Sequence, residues 1–119
     1  MVKKISFCGF SLVFDLSDLS WVNVSCQRES DSVSLGFDMY SILKERLLDN
    51  LGSMDWYLRD GAKYKTLLVL SDPHTILVYR DLGCHVYELA FVSREGLCSV
   101  IGEIDLNEHR EFVAFVEQL

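Results

Sequence analysis

The sequence predicts a single α+β domain, residues 1–119, in which an antiparallel sheet packs against two helices. Apolar residues between 65 and 104 fall into four short runs separated by turn-type residues, which is typical of a strand meander. Residues 39–51 and 106–119 show instead the 3.6-residue apolar period of amphipathic helices. The length of 119 residues fits one domain of common size, about 100–150 residues.

The first third of the chain predicts strands. Residues 2–16 are interpreted as one long strand or two short ones, with Gly9 as a bulge or bend. Residues 21–26 and 33–37 alternate between apolar and polar positions, as half-buried strands do. The polar residues 27–31 between them predict a hairpin loop.

The central helix is predicted from the change of period after residue 37. Asp38 is a suitable N-cap for a helix over residues 39–51, and Gly52 is a suitable end. Its apolar stripe consists of Tyr40, Leu43, Leu47 and Leu51. Residues 53–61 are interpreted as a short second helix before the chain enters the meander.

The meander is predicted from breaks at 71–74, 81–83 and 94–96, each with Gly or Pro beside Asp or Glu. Apart from Thr66, all residues of the run 66–70 are apolar, so both faces of this strand carry apolar side chains. We therefore expect a central strand that is covered on both sides. In the third strand we expect one face to carry His85, Tyr87, Leu89 and Phe91.

Residues 72–83 also permit a helical interpretation. Asp72 and Pro73 would serve as its cap and first turn. The run Thr75-Ile76-Leu77-Val78 favours a strand, because β-branched side chains fit a pleated surface. Both alternatives remain open at this point.

The C-terminal helix, residues 106–119, has a clear start signal. Asp105 is a suitable N-cap, and Glu108 stands three positions later, as in a capping box. A carboxylate in the first turn also complements the positive end of the helix dipole. The predicted apolar stripe consists of Phe112, Phe115, Val116 and Leu119.

The net charge of −7 is concentrated in the second half of the chain. Residues 1–65 hold eight Lys or Arg and nine Asp or Glu, whereas residues 66–119 hold three and nine. An acidic surface repels phosphate backbones and anionic lipids, so nucleic acid and membranes are excluded as expected partners. A basic protein or a cation fits this charge better.

No cofactor or metal site is predicted. Each of the four Cys residues stands in an apolar run, so we expect reduced core cysteines in a cytoplasmic protein. Zinc-type Cys or His spacings and phosphate-binding Gly-rich loops are missing. Two alternatives remain: Cys84 or Cys98 with His74 as a nucleophile pair, and Glu103 with Asp105 for acid-base work or a divalent cation.

In size, acidity and lack of a catalytic motif, the chain resembles bacterial immunity proteins, which are paired with contact-dependent or polymorphic toxins. The resemblance implies a non-enzymatic inhibitor that binds a cognate, basic, nuclease-type toxin domain. On this hypothesis the acidic contact surface consists of Asp81, Glu88, Glu95, Glu103, Asp105, Glu108 and Glu111.

Trp56 and Tyr57 are the candidate aromatic anchors of this surface, since Trp and Tyr are enriched at binding hot spots. An equal alternative is that they pack their loop onto the sheet. Two other functions also remain open: a small enzyme or ligand-binding domain using a Cys/His or carboxylate pair, and a structural or adaptor subunit that forms a homodimer through a sheet edge.

Overall fold

A computed structural model describes residues 1–18, 20–28, 32–37, 40–70, 75–93 and 98–119. Within these ranges the chain forms nine strands and two helices, and the predicted α+β class is confirmed. In chain order the elements are β1 (Val2–Phe7), β2 (Phe10–Asp15), β3 (Val22–Arg28), β4 (Ser32–Phe37), α1 (Tyr40–Gly52), β5 (Tyr57–Arg59), β6 (Ala62–Leu70), β7 (Thr75–Gly83), β8 (Val86–Val92), β9 (Cys98–Ile104) and α2 (Leu106–Glu117).

The strands form two antiparallel sheets, each a meander, instead of the single sheet predicted. The first has the order β1-β2-β3-β4, and the second has the order β5-β6-β7-β8-β9. Gly9 adopts a φ of 87° in the turn between β1 and β2, so residues 2–16 contain two short strands. β3 pairs with β4 as predicted, with Val24 opposite Leu35, whereas most of the loop between them lies outside the described residues.

The structure of β7 decides between the strand and the helix predicted for residues 72–83, from residue 75 onward. This segment is a strand, and the helical alternative is wrong. The turn predicted at 81–83 is also wrong, because β7 continues to Gly83 with a register shift and the chain reverses at Cys84 and His85. Both turn residues have positive φ, 52° and 61°, and His85 therefore leaves the strand face predicted for it. The breaks at 71–74 and 94–96 lie outside the described residues.

Residues 53–61 do not form the predicted second helix. Tyr57–Arg59 is instead the edge strand β5, which pairs with β6. Asp60 and Gly61 connect the two strands with φ of 51° and 79°. An Asp-Gly pair with both φ values positive suits a two-residue hairpin turn, and this local signal outweighs the helical interpretation.

β6 is covered differently from the prediction. A register shift between Thr66 and Leu68 lets both Leu67 and Leu68 reach the core, where they are 0 % and 2 % exposed. Val69 is 61 % exposed, so the prediction of a strand covered on both sides is wrong at that residue. A bulge changes which side chains share a face, and alternation alone does not reveal it.

The two helices follow the predictions closely. Along α1, Leu43, Leu47 and Leu51 are buried, while its predicted cap Asp38 lies outside the described residues. At the start of α2, Oδ1 of Asp105 accepts from the backbone N–H of Glu108 at 2.8 Å, and Oε1 of Glu108 accepts from the N–H of Asp105 at 3.2 Å. The predicted capping box is confirmed. Neither described helix is long and apolar enough to cross a bilayer.

The main core lies where one face of each sheet meets one stripe of each helix. Both sheets contribute fully buried side chains, such as Phe14 from β2 and Leu89 from β8. The helices add Leu47 and Phe112, which are also fully buried. Burial of this apolar surface is the main force that holds the two sheets and two helices together.

The prediction of core cysteines holds for one of the three whose side chains are described. Cys26 is buried in β3, whereas Cys8 and Cys84 are exposed and carry free thiols. The prediction is wrong for these two residues because both occupy turns between strands. Their apolar sequence neighbours belong to the strands on either side.

Acidic groove and aromatic pocket

The first turn of α2 forms one wall of a groove at the end of β9. The groove has a volume of ≈ 490 Å³, and three of its six described lining residues carry carboxylates. We call it the acidic groove; it is lined by Cys8, Val86, Glu103, Ile104, Asp105 and Glu108. The structure thus brings together three of the residues predicted to contact a partner.

Two of these carboxylates also stabilise the fold. Asp105 and Glu108 form the capping box of α2. Oε2 of Glu108 additionally accepts a hydrogen bond from the backbone N–H of Cys8 at 3.2 Å, which joins α2 to the turn between β1 and β2. Substitution of either residue would alter the structure as well as the charge, so neither is suited to a test of binding alone.

Glu103 and Glu111 differ from this pair. Both are exposed, and neither makes a hydrogen bond or ion pair with the described part of the chain. Neither carboxylate is therefore paired with a cation in the described part of the chain, and both face solvent. They are the predicted contact residues that can be changed with least effect on the fold.

A row of side chains crosses the second sheet from β5 to β9. Direct cross-strand pairing links Tyr57 to Tyr64, Tyr64 to Arg80, Arg80 to Glu88, and Glu88 to Glu103. Four spacings of about 4.8 Å place Tyr57 and Glu103 about 19 Å apart. An aromatic edge and an acidic edge thus occupy the same face of this sheet.

Glu88 is the least available acid in this row. Its side chain is 15 % exposed, and Oε1 lies 3.5 Å from Nη1 of Arg80. The two acids Glu88 and Glu103 stand directly opposite each other, and Arg80 offsets part of their repulsion. Nε of Arg80 is buried without a hydrogen-bond partner among the described residues.

The two candidate aromatic anchors have different surroundings. Tyr57 is 41 % exposed and stacks on Tyr64, with ring centroids 6.0 Å apart. Trp56 is half-buried and stacks on Tyr87 at 5.8 Å, so it packs its segment onto the sheet. Tyr57 thus fits the anchor interpretation better, and Trp56 fits the packing alternative better.

The other predicted contact residues lie apart from the groove or outside the described residues. Oδ1 of Asp81 accepts from the backbone N–H of Gly83 at 2.8 Å, which is a local contact next to the turn at Cys84. Glu95 lies outside the described residues. The acidic surface that the structure describes is therefore centred on the end of β9 and the start of α2.

A second cavity of ≈ 260 Å³ lies between the end of α1, the second sheet and α2. Aromatic rings and one imidazole form much of its lining, and we call it the aromatic pocket. It is lined by Leu51, Gly52, Ser53, Met54, Trp56, Lys65, Tyr79, Tyr87 and His109. The sequence did not predict this site, although it singled out Trp56.

The rings of the pocket form one stacked wall. Tyr87 stacks on Tyr79 with centroids 5.4 Å apart and on Trp56 at 5.8 Å. The His109 ring lies 5.7 Å from both tyrosine rings at steep angles. Offset and edge-on contacts at these distances are the favourable geometries for aromatic pairs, so the rings of the wall stabilise one another.

Lys65 brings a positive charge into this lining. It is 6 % exposed, and its ammonium donates to the backbone carbonyls of Leu51 and Ser53, the former at 3.4 Å. α1 has no basic residue in its last turn, so Lys65 of β6 complements the negative end of the helix dipole. The ammonium also lies 4.9 Å from the centroid of the Trp56 ring.

Burial lowers the pKa of Lys65 because desolvation disfavours the charged form, and the charge of Asp55 opposes this in part. Desolvation also raises the pKa of Tyr79 well above its ordinary value, and Tyr87 adds to this rise. The Tyr79 hydroxyl therefore keeps its proton and forms a hydrogen bond of 3.2 Å with Nδ1 of His109, whose direction is set by the imidazole tautomer.

No known protein family, curated protein or solved structure matches this chain. The function must therefore be argued from the two sites themselves. No group of three or more His, Cys, Asp or Glu among the described residues is arranged to hold a metal ion. The cation alternative for Glu103 and Asp105 thus gains no support from the described geometry.

The proposed Cys/His nucleophile pairs are not placed by the structure. His74 lies outside the described residues, and so does the side chain of Cys98. Cys84 is exposed in the turn after β7. The hydrogen bond described for the imidazole of His109 is with the Tyr79 hydroxyl and not with a thiol. Among the residues that the structure describes, no Cys/His pair is therefore arranged as the enzymatic alternative requires.

His109 gives the stability of the protein a pH dependence that can be measured. Burial, followed by the charges of Lys65 and Arg110, lowers the pKa of His109. The unfolded chain, with a histidine pKa of about 6.5, then binds a proton more readily than the folded chain. We expect the free energy of unfolding to fall as the pH drops below this value, until the pH passes the folded pKa.

Urea unfolding at a series of pH values between 7 and 5 would measure this dependence. His109→Gln should flatten the profile in this range, whereas His85→Gln, at the exposed turn, should leave it unchanged. Asp15 and Asp18 also have lowered pKa values, caused first by hydrogen bonds from Ser17 and Ser20, but they titrate at lower pH. An unchanged profile in His109→Gln would contradict the prediction.

Proposed function

We propose that this protein is an immunity-type inhibitor, which binds and neutralises a basic, nuclease-type bacterial toxin domain in the cytoplasm. The observation that carries the proposal is a pair of exposed carboxylates without a described cation partner. Glu103 lines the acidic groove, and Glu111 stands one helical turn after the groove residue Glu108 on α2. Uncompensated charge of one sign on one part of the surface attracts a partner of the opposite sign and speeds its association.

The extent of the exposed surface decides which parts would have to contribute to an interface. The face of the second sheet that carries Tyr57 and Glu103 is about 19 Å wide and about 23 Å long. Its centre is closed, because Val78 and Ala90 are 1 % and 0 % exposed, so its contact area lies at the edges β5 and β9. A stable interface buries about 800 Å² on each partner. The sheet face is therefore large enough only in combination with the acidic groove and the exposed side of α2.

The composition of this face also suits a protein partner. Tyr57 is 41 % exposed on β5, and Val100 is 41 % exposed on β9. Leu58 is 73 % exposed but lies on the opposite face of β5, because successive side chains of a strand alternate. Exposed apolar and aromatic side chains that are bordered by charge are typical of a contact surface. Tyr57 at one edge and Glu103 at the other would contact apolar and basic groups of a partner.

A basic, nuclease-type toxin domain encoded next to the gene for this protein would be the appropriate binding probe. We expect Glu103→Lys and Glu111→Lys each to slow association with that domain about tenfold at low ionic strength, because the charge that attracts the basic partner is reversed. Raising the salt concentration should reduce the difference between the variants and the native protein. Surface plasmon resonance measures the association rates.

Glu45→Lys serves as the matched control, because Glu45 is exposed on α1 in the half of the chain that is nearly neutral. It should change the rate less than about twofold. Lysozyme, an unrelated basic protein, tests for binding by charge alone. Equal rates for the native protein and both Glu103 and Glu111 variants would overturn the assignment of this surface, and failure to bind the basic domain would overturn the function.

A further inference from the structure

We propose that the aromatic pocket binds a small aromatic carboxylate, with its ring against the stacked wall and its carboxylate on the ammonium of Lys65. This inference goes beyond the proposed function, because the pocket shares no described lining residue with the acidic groove and has the opposite charge. The argument rests on the size, the charge and the exposed rim of the pocket.

The size of the pocket suits a single ring with a substituent. Its volume is ≈ 260 Å³. A cavity of roughly 150 Å³ is large enough to bind benzene. The remaining space accommodates a short side chain that ends in a carboxylate. Pockets for drug-sized ligands are larger, about 300–1,000 Å³.

The charge of the pocket selects an anion. Among its described lining residues, Lys65 carries the positive charge, and none is an acid. Lys65 is 6 % exposed, and its ammonium donates to two neutral carbonyl groups. The charge of Asp55 acts on it from outside the pocket lining, but no carboxylate lies within ion-pair distance in the described part of the chain. A buried ammonium gains most from a carboxylate, which offsets the cost of its desolvation.

The other polar groups of the pocket do not compete for that anion. The Tyr79 hydroxyl and Nδ1 of His109 are hydrogen-bonded to each other, and both groups are neutral at pH 7 because burial disfavours their charged forms. The pocket therefore presents a single cation beside apolar ring surfaces. Amphipathic ligands with a flat apolar body and one anionic end match this arrangement.

The rim of the pocket is apolar and uncovered. Met54 lines the pocket and is 88 % exposed, although a methionine side chain gains free energy when it is covered. Its unbranched thioether chain can adapt to a ligand and makes favourable contacts with aromatic rings. A bound ring would thus cover Met54 and complete the wall formed by Trp56 and Tyr87.

Phenylacetate is the probe for this proposal, and nuclear magnetic resonance of the ¹⁵N-labelled protein is the measurement. The indole N–H signal of Trp56 should shift on titration with millimolar phenylacetate, and Trp21→Phe assigns the remaining indole signal to Trp56. Lys65→Met keeps the length of the side chain but removes the ammonium. It should weaken phenylacetate binding by about tenfold or more, as expected for loss of a hydrogen-bonded charge pair.

Lys63→Met is the matched control, because Lys63 is exposed on the same strand. It should leave the affinity within about twofold of the native value. Phenylacetamide has the same shape without the charge and should bind the native protein about tenfold more weakly than phenylacetate. This comparison needs no variant and remains decisive if Lys65→Met fails to fold.

Three results would overturn the proposal: no shift of the Trp56 signal with phenylacetate, equal affinity of the native protein for phenylacetate and phenylacetamide, or equal binding by folded Lys65→Met. None of these measurements involves the toxin partner. A failure here therefore leaves the immunity proposal to its own test, and a failure of toxin binding leaves the pocket proposal unaffected.

Discussion

Replacement of Phe112 by alanine is expected to lower the free energy of unfolding by about 3–5 kcal/mol. Phe112 is fully buried in α2. Its ring lies 5.9 Å from that of Phe7 in β1 and 6.5 Å from that of Tyr79 in β7, so one side chain contacts both sheets. Since a domain is stabilised by only about 5–15 kcal/mol, this loss is a large fraction of the total.

Urea unfolding followed by circular dichroism measures the effect through the transition midpoint and slope. Phe115→Ala is the matched control on the same helix, because Phe115 is only half-buried and contacts Phe14. It should cost less than Phe112→Ala, and Phe112→Leu should cost less than about 1.5 kcal/mol because it nearly preserves volume. A loss below about 1 kcal/mol for Phe112→Ala would contradict the packing described for α2.

Gly102→Ala is expected to destabilise the protein by about 1–3 kcal/mol, although alanine normally favours ordered structure more than glycine does. A Cβ atom at residue 102 would lie 2.4 Å from Cδ1 and 2.5 Å from Cε1 of Phe10. Phe10 is 6 % exposed and stacks on Phe7 at 4.9 Å, so its ring has little room to move. The clash falls where β2 of the first sheet meets β9 of the second.

A double-mutant cycle with Phe10→Ala tests this cause directly. In that background the added methyl group has space, and Gly102→Ala should cost about 0.5 kcal/mol or less. Gly52→Ala is the control, because a Cβ at residue 52 meets no atom within 4 Å. It should leave stability unchanged or raise it by up to about 1 kcal/mol. An equal cost of Gly102→Ala in both backgrounds would show that Phe10 is not the obstacle.

Part of the candidate site could be predicted from sequence. Glu103, Asp105 and Glu108 are close in the chain, and the capping box defines their relative positions, so their grouping follows from local rules. The contact of Glu108 with Cys8 could not be predicted in this way, because it joins residues 100 positions apart. The pairing of Glu88 with Arg80 likewise depends on the register of β7 and β8.

The aromatic pocket was missed for a related reason. His109 stands three and seven positions before Phe112 and Val116, so the helical period places it beside the apolar stripe of α2. Tyr87 shares a strand face with Leu89 and Phe91, as predicted, and the structure shows that this face packs against the main core. The burial of Lys65 had no local signal, because it depends on the carbonyl groups at the end of α1, which are brought to β6 by tertiary packing.

Sequence alone determined the α+β class, both helices, most of the strands and the capping box of α2, because these features depend on contacts within a few residues. Only the tertiary structure decided that the strands divide into two sheets, that residues 57–59 form an edge strand and that β7 turns at Cys84. It also separated the acidic groove from the aromatic pocket. Such features depend on strand register and packing between distant segments, which alternation and composition do not specify.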